Sequence, residues 1–582
     1  MKLFVSEASK PVAKALKDCR PHLVRVGLFS ALVNLLYLAP TLYMMQVYDR
    51  VVPTGGVGTL LWLTLILAAA IGTLTTLDGV RSKLMVRAAL RLNTSLASTI
   101  LTRILSTRDN KGASPEAPMA LRDLDSLRQS MTGPGMMALF DAPWMPIYLL
   151  AAYTLHPLLG LLICIGGAIL VTLAIISERV ARTGNRASHR ALSQANAAQE
   201  ALISHGEVIR SLGMRDALSM RHNMERTSAL LVGAQTQLAA SRYSSLVKFV
   251  RMFLQSLALG AGALLAVKGE ISAGSIIAAS VLLSRALQPI EQLVGAWPAL
   301  TVARQSYLSL NALFAGDKDE EERKMLLPDP TGAVEISNLT LRNADASGFI
   351  IRGISFAMKP SQTVGLIGPS GAGKSTIARI VAGAIKPDVG DVRIDESAFD
   401  DWDQEKLARH IGYLPQDYRL IPGTVAENIS RFAGMRGEES DEIDQKVIRA
   451  ATIAGIHGMI SHLPLGYNTP IGLASAGLSG GQTQRIALAR ALYGDPKILI
   501  FDEPSAALDA EGEQALMRAV EAARLWGASI LMVAHRAFVL SNADWLVVVR
   551  DGVVERQGPR EEVVDSLKQD VERQNVVAMA RA

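Results

Sequence analysis

The apolar positions of this chain follow two regimes. Over roughly the first 300 residues they form long uncharged runs, and beyond that they alternate or repeat as in an ordinary α/β domain. A membrane-crossing helix needs about 20 mostly apolar residues. Val26–Met45 and Gly58–Leu77 are such runs. Ala142–Ser177 carries no charge, but as one helix it would reach about 54 Å, too long for a single crossing. His156-Pro157 near its middle predicts two helices joined by a tight turn. Met252–Val267 and Ile271–Ser284 form a shorter pair, split by Lys268-Gly269-Glu270. Charged residues at their cytosolic ends can snorkel, so both are read as spans and the total is six.

Charge orients these spans. Arg81, Lys83, Arg87, Arg91, Arg103, Arg108, Lys111, Arg122 and Arg128 lie between the second and third. Arg179 through Lys248 lie between the fourth and fifth, again rich in arginine. The other connections are short and nearly free of basic residues, which puts the long loops and both termini in the cytosol. The long loops are rich in alanine, leucine and arginine and sparse in glycine and proline, so they read as helical extensions of the spans. Such extensions need turns at their tips, and Leu121–Met131 and Gly206–Met214 are candidates for touching the C-terminal domain; the alternative is a solvated helix surface.

At 582 residues the chain is too long for one core. The expected division is a cytosolic segment 1–24, a six-helix membrane domain 25–315, a linker 316–332, an α/β domain 333–565 and a tail 566–582. The net charge of +5 is compatible with nucleic acid, but many basic residues flank apolar runs, so a lipid bilayer is expected and nucleic acid is not. Cys19 and Cys164 stand far apart, which argues against a disulfide framework. No cleavable signal peptide is expected, because the first apolar run is long enough to span and lacks a cleavage site.

The second regime carries the chemistry. Thr363–Ile367 is a short β-type run followed by Gly368, Pro369, Ser370, Gly371, Ala372, Gly373, Lys374, Ser375 and Thr376, then an apolar helical stretch. This is the phosphate-loop pattern in its strand–loop–helix context. Its glycines let backbone N–H groups curl around phosphate oxygens at a helix N-terminus. Lys374 is expected on the β- and γ-phosphates and Ser375 on Mg²⁺. A second strand, Ile498–Phe501, ends in Asp502-Glu503, at the edge of an α/β sheet where ligands bind. Asp502 is the candidate for holding Mg²⁺ through water, and Glu503 the candidate base for the attacking water. Leu478, Ser479, Gly480, Gly481 and Gln482 open the helical stretch Thr483–Leu492 and form another anion cradle. Two phosphate-binding turns are not expected to serve one nucleotide in one chain, so the second is assigned to the ATP of a partner chain.

Over roughly Ala333–Asp565 these motifs resemble the ATP-binding cassette. The resemblance implies further roles. Gln416, in Tyr413-Leu-Pro-Gln, matches the glutamine that reaches Mg²⁺ and senses the membrane domain. Ser505-Ala-Ala-Leu-Asp509 matches the segment that crosses to the partner site, and His535, after Ile530–Val533, matches the histidine that contacts the γ-phosphate. Membrane helices first and cassette second is similar to exporters. Met44–Pro53, Leu139–Tyr148, the Arg122-Asp-Leu-Asp stretch, Gly206–Met214 and Gly423–Ile429 resemble type I secretion transporters of the protease and lipase branch. The fold implied is a membrane α-helical bundle fused to an α/β P-loop NTPase domain. The activity implied is ATP hydrolysis by a homodimer in a bacterial inner membrane, coupled to export of an unfolded protein with a C-terminal signal. A periplasmic adaptor and an outer-membrane channel would complete the path. Both catalytic elements are present, which favours two equivalent sites.

The sequence departs from that pattern in two places. Asn343 stands where exporter cassettes usually carry an aromatic for adenine, with Phe349 as the candidate substitute. Leu473 stands where many exporters have glutamate. About 25 residues precede the first span, too few for a peptidase-like domain. Arg285 and Glu291, near Pro289, are candidate path-facing charges. A lipid or drug exporter would share this architecture. A soluble DNA-repair or translation ATPase would share the cassette but not the six apolar runs.

Overall fold

The computed structural model describes residues 9–106, 117–314, 327–343, 348–472, 477–505, 508–534 and 539–569. Leu473 and His535, both singled out above, lie outside them. The chain divides into a unit that ends at Gly316 and one that starts at Asp317.

The first unit is helical. Among the described residues, six of its helical stretches are long and apolar enough to cross a membrane. They begin with Lys10–Thr54, so the boundary expected at 24 falls inside a continuous helix, Lys10–Leu36. Val57–Ser106 and Arg215–Val267 are 50 and 53 residues long, about 75–80 Å at 1.5 Å per residue. A bilayer core is about 30 Å thick, so both carry the long extensions that the loop composition predicts. Leu61, Trp62, Leu65 and Ile66 stay exposed on their helix, a face stable only against other apolar groups such as lipid tails.

The breaks between spans have local causes. His156 is extended, and its Nδ1 accepts from Leu158 N at 3.2 Å, capping the helix Pro157–Ser204 that starts with proline. Its Nε2 meets Glu270 at 3.0 Å. The first span bends at Tyr37-Leu38, ahead of Pro40, and then passes through a π turn, Val47–Val51. That turn aims Asp49 at the start of the last span: Gly274 N donates to it at 2.7 Å and Ser272 Oγ at 2.6 Å. The Met44–Pro53 stretch thus supplies a cap from outside its own helix, satisfying donors that a helix start leaves open.

Several charges within the bundle are paired. Arg81, 6% exposed, donates to Asp141 at 2.6 Å, Asp78 at 2.7 Å and Ser30 Oγ at 3.1 Å. Asn34 Nδ2 also donates to Asp141, at 2.9 Å, and Tyr148 OH donates to the Asn34 carbonyl at 2.8 Å. This network joins three spans and places Leu139–Tyr148 at its centre. Glu291 pairs with Arg251 of the preceding helix, and Arg285 lies 4.2 Å from the centroid of the Tyr37 ring. Both path-facing candidates therefore have partners within their own chain.

The two contact candidates differ in local structure. Leu121–Met131 lies inside the helix Ala117–Thr132. Leu124 and Met131 are buried, and Asp123 accepts from Ser306 Oγ at 2.8 Å. Helical spacing of its apolar residues outweighs the short polar stretch. Gly206–Met214 holds a short helix, Gly206–Ser211, followed by Gly213 at φ +66°, between two long helices.

The second unit is built on two sheets. Four antiparallel strands run in the order β2-β1-β4-β5: β1 Val334–Arg342, β2 Phe349–Met358, β4 Val389–Ile394, β5 Ser397–Ala398. Six strands run in the order β12-β11-β3-β10-β9-β6: β3 Thr363–Ile367, β6 Ile411–Leu414, β9 Ile498–Asp502, β10 Ser529–Val533, β11 Trp545–Arg550, β12 Val553–Pro559. A short hairpin pairs β7 Gly423–Thr424 with β8 Pro470–Ile471. The six-stranded sheet is parallel except at β12. Ile498–Phe501 and Ile530–Val533 are buried throughout, as continuous apolar runs in a doubly covered parallel sheet require. One core lies between the two sheets, and a second holds Val425–Ile429, Ser440–Ile453 and Gly480–Leu492 against β9 and β10.

Candidate functional site

β3 and β9 flank β10, and their C-terminal ends deliver the motif residues to one edge of the parallel sheet. The loop after β3 takes its shape from glycine. Gly368 has φ +150°, and a Cβ there would lie 2.0 Å from the Val549 carbonyl oxygen. Gly373, at φ +94°, leads directly into the helix Lys374–Val381, which has no side-chain cap. Its first N–H groups therefore face the loop without a built-in acceptor, the arrangement that suits phosphate.

Lys374 is 5% exposed and folds back over its own loop. Its Nζ donates to the carbonyls of Gly368 at 3.0 Å and Pro369 at 2.7 Å. Burial pushes its pKa down, against the pull of Glu503 and Asp502. Ser375 Oγ donates to Asp502 Oδ1 at 2.9 Å. Asp502 is 2% exposed, and burial holds its carboxyl above the ordinary value, with the Ser375 bond opposing and Glu503 adding to the rise. Glu503 has φ +51°, and its N–H donates to Val533 at 3.0 Å. Gln416, past the end of β6, donates from Nε2 to Glu503 Oε2 at 3.2 Å. The structure thus joins Lys374, Ser375, Asp502, Glu503 and Gln416 in one cluster. A carboxylate, a hydroxyl and an amide oxygen are hard donors, the set that suits Mg²⁺.

The second turn is finished differently. Ser479 caps the helix Gly480–Leu492 through a reciprocal pair: Gln482 N donates to Ser479 Oγ at 3.2 Å, and Ser479 N donates to Gln482 Oε1 at 2.9 Å. Among the described residues no hydrogen bond joins Leu478–Gln482 to Gly368–Thr376. Asp509 caps the helix Ala510–Leu525, accepting from Gly512 N at 2.8 Å, and accepts from Arg485 at 2.7 Å. Those contacts hold its carboxyl below the ordinary value.

The sequence left three residues unremarked. Gln484, buried in the second helix, donates to the Pro504 carbonyl at 2.6 Å, and so ties that helix to the segment after Glu503. Arg485 joins it to Asp509. Arg431 holds its C-terminal end, as shown below. A polar residue at a core-facing helical position was the available signal for Gln484.

Phe349 pairs across from Arg342 in the β1–β2 ladder and is half exposed. The Arg342 guanidinium lies 5.7 Å from its ring centroid. The next residues, Ile350 and Ile351, lie against Gly373, whose Cβ would approach Ile351 Cγ2 to 2.6 Å. Asn343 donates its N–H to the Gly348 carbonyl at 2.9 Å.

Comparison with known proteins agrees with this geometry. Residues 351–506 match the family model described as ABC transporter, and residues 23–290 match that of the ABC transporter transmembrane region. The chain is 38% identical over 567 residues to the type I secretion system ATP-binding protein PrsD of Rhizobium meliloti, covering 97% of this chain and 96% of that protein. It is 28% identical to the alpha-hemolysin translocation ATP-binding protein HlyB of Escherichia coli, over 92% of this chain and 75% of that one. It is 27% identical to the toxin RTX-I translocation ATP-binding protein of Actinobacillus pleuropneumoniae, over 94% and 76%. Among solved structures, a bacterial Atm1-family ABC exporter with ATP bound shares the fold, with a TM-score of 0.80 at 22% identity over 97% of this chain and 98% of that one.

Proposed function

The chain belongs to the ABC transporters of type I secretion systems, and from that premise we propose how its two units turn ATP hydrolysis into export. It is a multi-pass inner-membrane protein with a cytoplasmic cassette that binds ATP and drives protein export. In our reading two identical chains bind two ATP molecules. Each nucleotide rests on Gly368–Thr376 of one chain and is capped by Leu478–Gln482 of the other, with Asp509 at the crossing. The observation that carries this is the contrast between the two helix starts: one is open to an anion, the other is already capped and is not bonded to the first.

Lys374 leaves its own carbonyls for the terminal phosphates. Ser375, Asp502 and Gln416 would hold Mg²⁺, which would supply charge neutralisation on the phosphate oxygens. Glu503 orients and deprotonates the attacking water, and His535 contacts the γ-phosphate. Phe349, backed by Arg342, offers an aromatic face to the base in place of Asn343. Binding favours the closed pair and hydrolysis releases it, so ATP drives only what these two states distinguish. The cargo is an unfolded protein with a C-terminal signal, passed to a periplasmic adaptor and an outer-membrane channel.

Mixed dimers test the shared site. A Lys374→Ala chain paired with a Ser479→Ala chain keeps one intact site, because both lesions fall on the same nucleotide. Such dimers should retain about half the wild-type turnover, whereas Lys374→Ala homodimers should retain almost none. Equal inactivity of the two preparations would refute a site built from two chains.

A further inference from the structure

Between Ile429 and Ala433 the backbone passes through two bulky residues in the left-handed region, Arg431 at φ +55° and Phe432 at φ +56°. Residues of this kind are strained there and persist only where their surroundings hold them. The Arg431 side chain supplies that hold. Its Nε donates to the Arg490 carbonyl, its Nη1 to those of Ala408 and Ile411, and its Nη2 to that of Ala491, each at 2.9 Å. These carbonyls belong to the helix Gln404–Arg409, the first residue of β6 and the last turn of the helix Gly480–Leu492. A guanidinium at two helix C-termini satisfies acceptors that lack an intrahelical donor and complements the helix dipoles. Burial, with Arg490 and Arg436 adding to it, brings its pKa down to about 10, so the group stays charged at neutral pH.

The elements it joins both lead to the nucleotide. β6 runs on into Gln416, which bonds Glu503. The helix Gly480–Leu492 begins at Ser479. Two other contacts connect the same pair. Arg490 Nη2 donates to the carbonyl of Arg419, just beyond Gln416, at 3.2 Å. The Tyr418 hydroxyl lies 4.0 Å from where a Cβ on Gly480 would stand.

We propose that Arg431 is a positioning residue for ATP hydrolysis: it fixes the helix behind Ser479 to the strand that leads into Gln416, so that the cap offered to the partner's ATP and the Gln416–Glu503 contact move as one body. This rests on the reading of Leu478–Gln482 as that cap. Four carbonyls on three elements require a planar fork with several donors, which a lysine point charge cannot reproduce.

The test uses the full-length protein in phospholipid nanodiscs, carrying Arg431→Gln or Arg431→Lys. Turnover number should fall about tenfold in Arg431→Gln and less in Arg431→Lys, while ATP affinity stays within about threefold, because a cap acts after binding. Hydrogen exchange should rise over residues 477–483 and not over Lys374–Val381. Wild-type turnover in a folded variant overturns the proposal. So does a loss of ATP affinity in parallel with turnover, or exchange that rises equally in both segments, which is what a purely structural role gives. If Arg431→Gln does not fold, Arg431→Lys is judged by the same split. Ser479→Ala separates the two readings: unchanged turnover there refutes the cap itself, whereas impaired turnover there beside normal Arg431 variants refutes only the role of Arg431.

Discussion

Two helices of the cassette start from glycine-rich turns, and they are completed in opposite ways. Lys374–Val381 follows Gly373 in a left-handed conformation and has no side-chain cap. Gly480–Leu492 follows Ser479 and carries a complete capping box. The first start leaves backbone donors for a ligand, and folding keeps Lys374 beside them on loop carbonyls that a phosphate can replace. The second start meets its own needs, so it can stand ready before any partner arrives. Similar composition thus gives one helix start open to an anion and one closed on itself, the contrast on which the proposed shared site rests.

The strongest way to break this contrast is Lys374→Ala. ATP binding and turnover should both fall, turnover by about 100-fold or more, because no other described cation touches that loop. A radiolabelled-nucleotide assay showing normal binding would erase the difference between the two starts. Ser479→Ala should leave binding nearly intact and lower turnover by about tenfold, at a cost near 1 kcal/mol in stability for the lost cap. Equal losses of binding and turnover would mean that Ser479 serves its own chain's nucleotide.

Asp502 sharpens the comparison through pH. Its folded pKa lies above the ordinary 3.8. A carboxyl raised in this way adds stability below the unfolded pKa and loses it as pH rises through the folded value. At neutral pH the nucleotide-free protein therefore carries the cost of a buried charge. Asp502→Asn should raise its melting temperature at pH 7, with the gain shrinking as pH falls towards 4, while Mg²⁺-dependent hydrolysis is lost. A lower melting temperature at pH 7 would contradict the burial argument. The smallest effect is expected from Gln482→Ala, which removes half of the capping box. It should cost about 0.5 kcal/mol and lower turnover less than Ser479→Ala does, as thermal melts and steady-state rates would report.

Much of this was legible in the chain. Thr363–Ile367 and the split at His156-Pro157 lie where periodicity and turn chemistry put them, because both signals are local. The cluster of Lys374, Ser375, Asp502 and Glu503 was legible because a strand followed by a phosphate loop, and another ending in two acids, place their ends on one sheet edge. Leu121–Met131 lies within a helix because its apolar residues recur at helical spacing, a pattern its charges do not interrupt. The partners of Asp49, Arg81 and Glu291 were not legible at all.

Sequence alone determined the number of spans, their orientation, the order of the two units and the motifs that meet at one edge of the parallel sheet, since each rests on spacing within a few residues or on the balance of charge between loops. Tertiary structure alone decided which charges meet. Arg81 finds Asp141 60 residues away, and Arg431 finds the Arg490 carbonyl 59 residues away. Carboxylates and carbonyls occur all along a chain, and nothing local marks which one a distant guanidinium will face. Only packing of the intervening helices and strands brings one within hydrogen-bonding distance and excludes the rest.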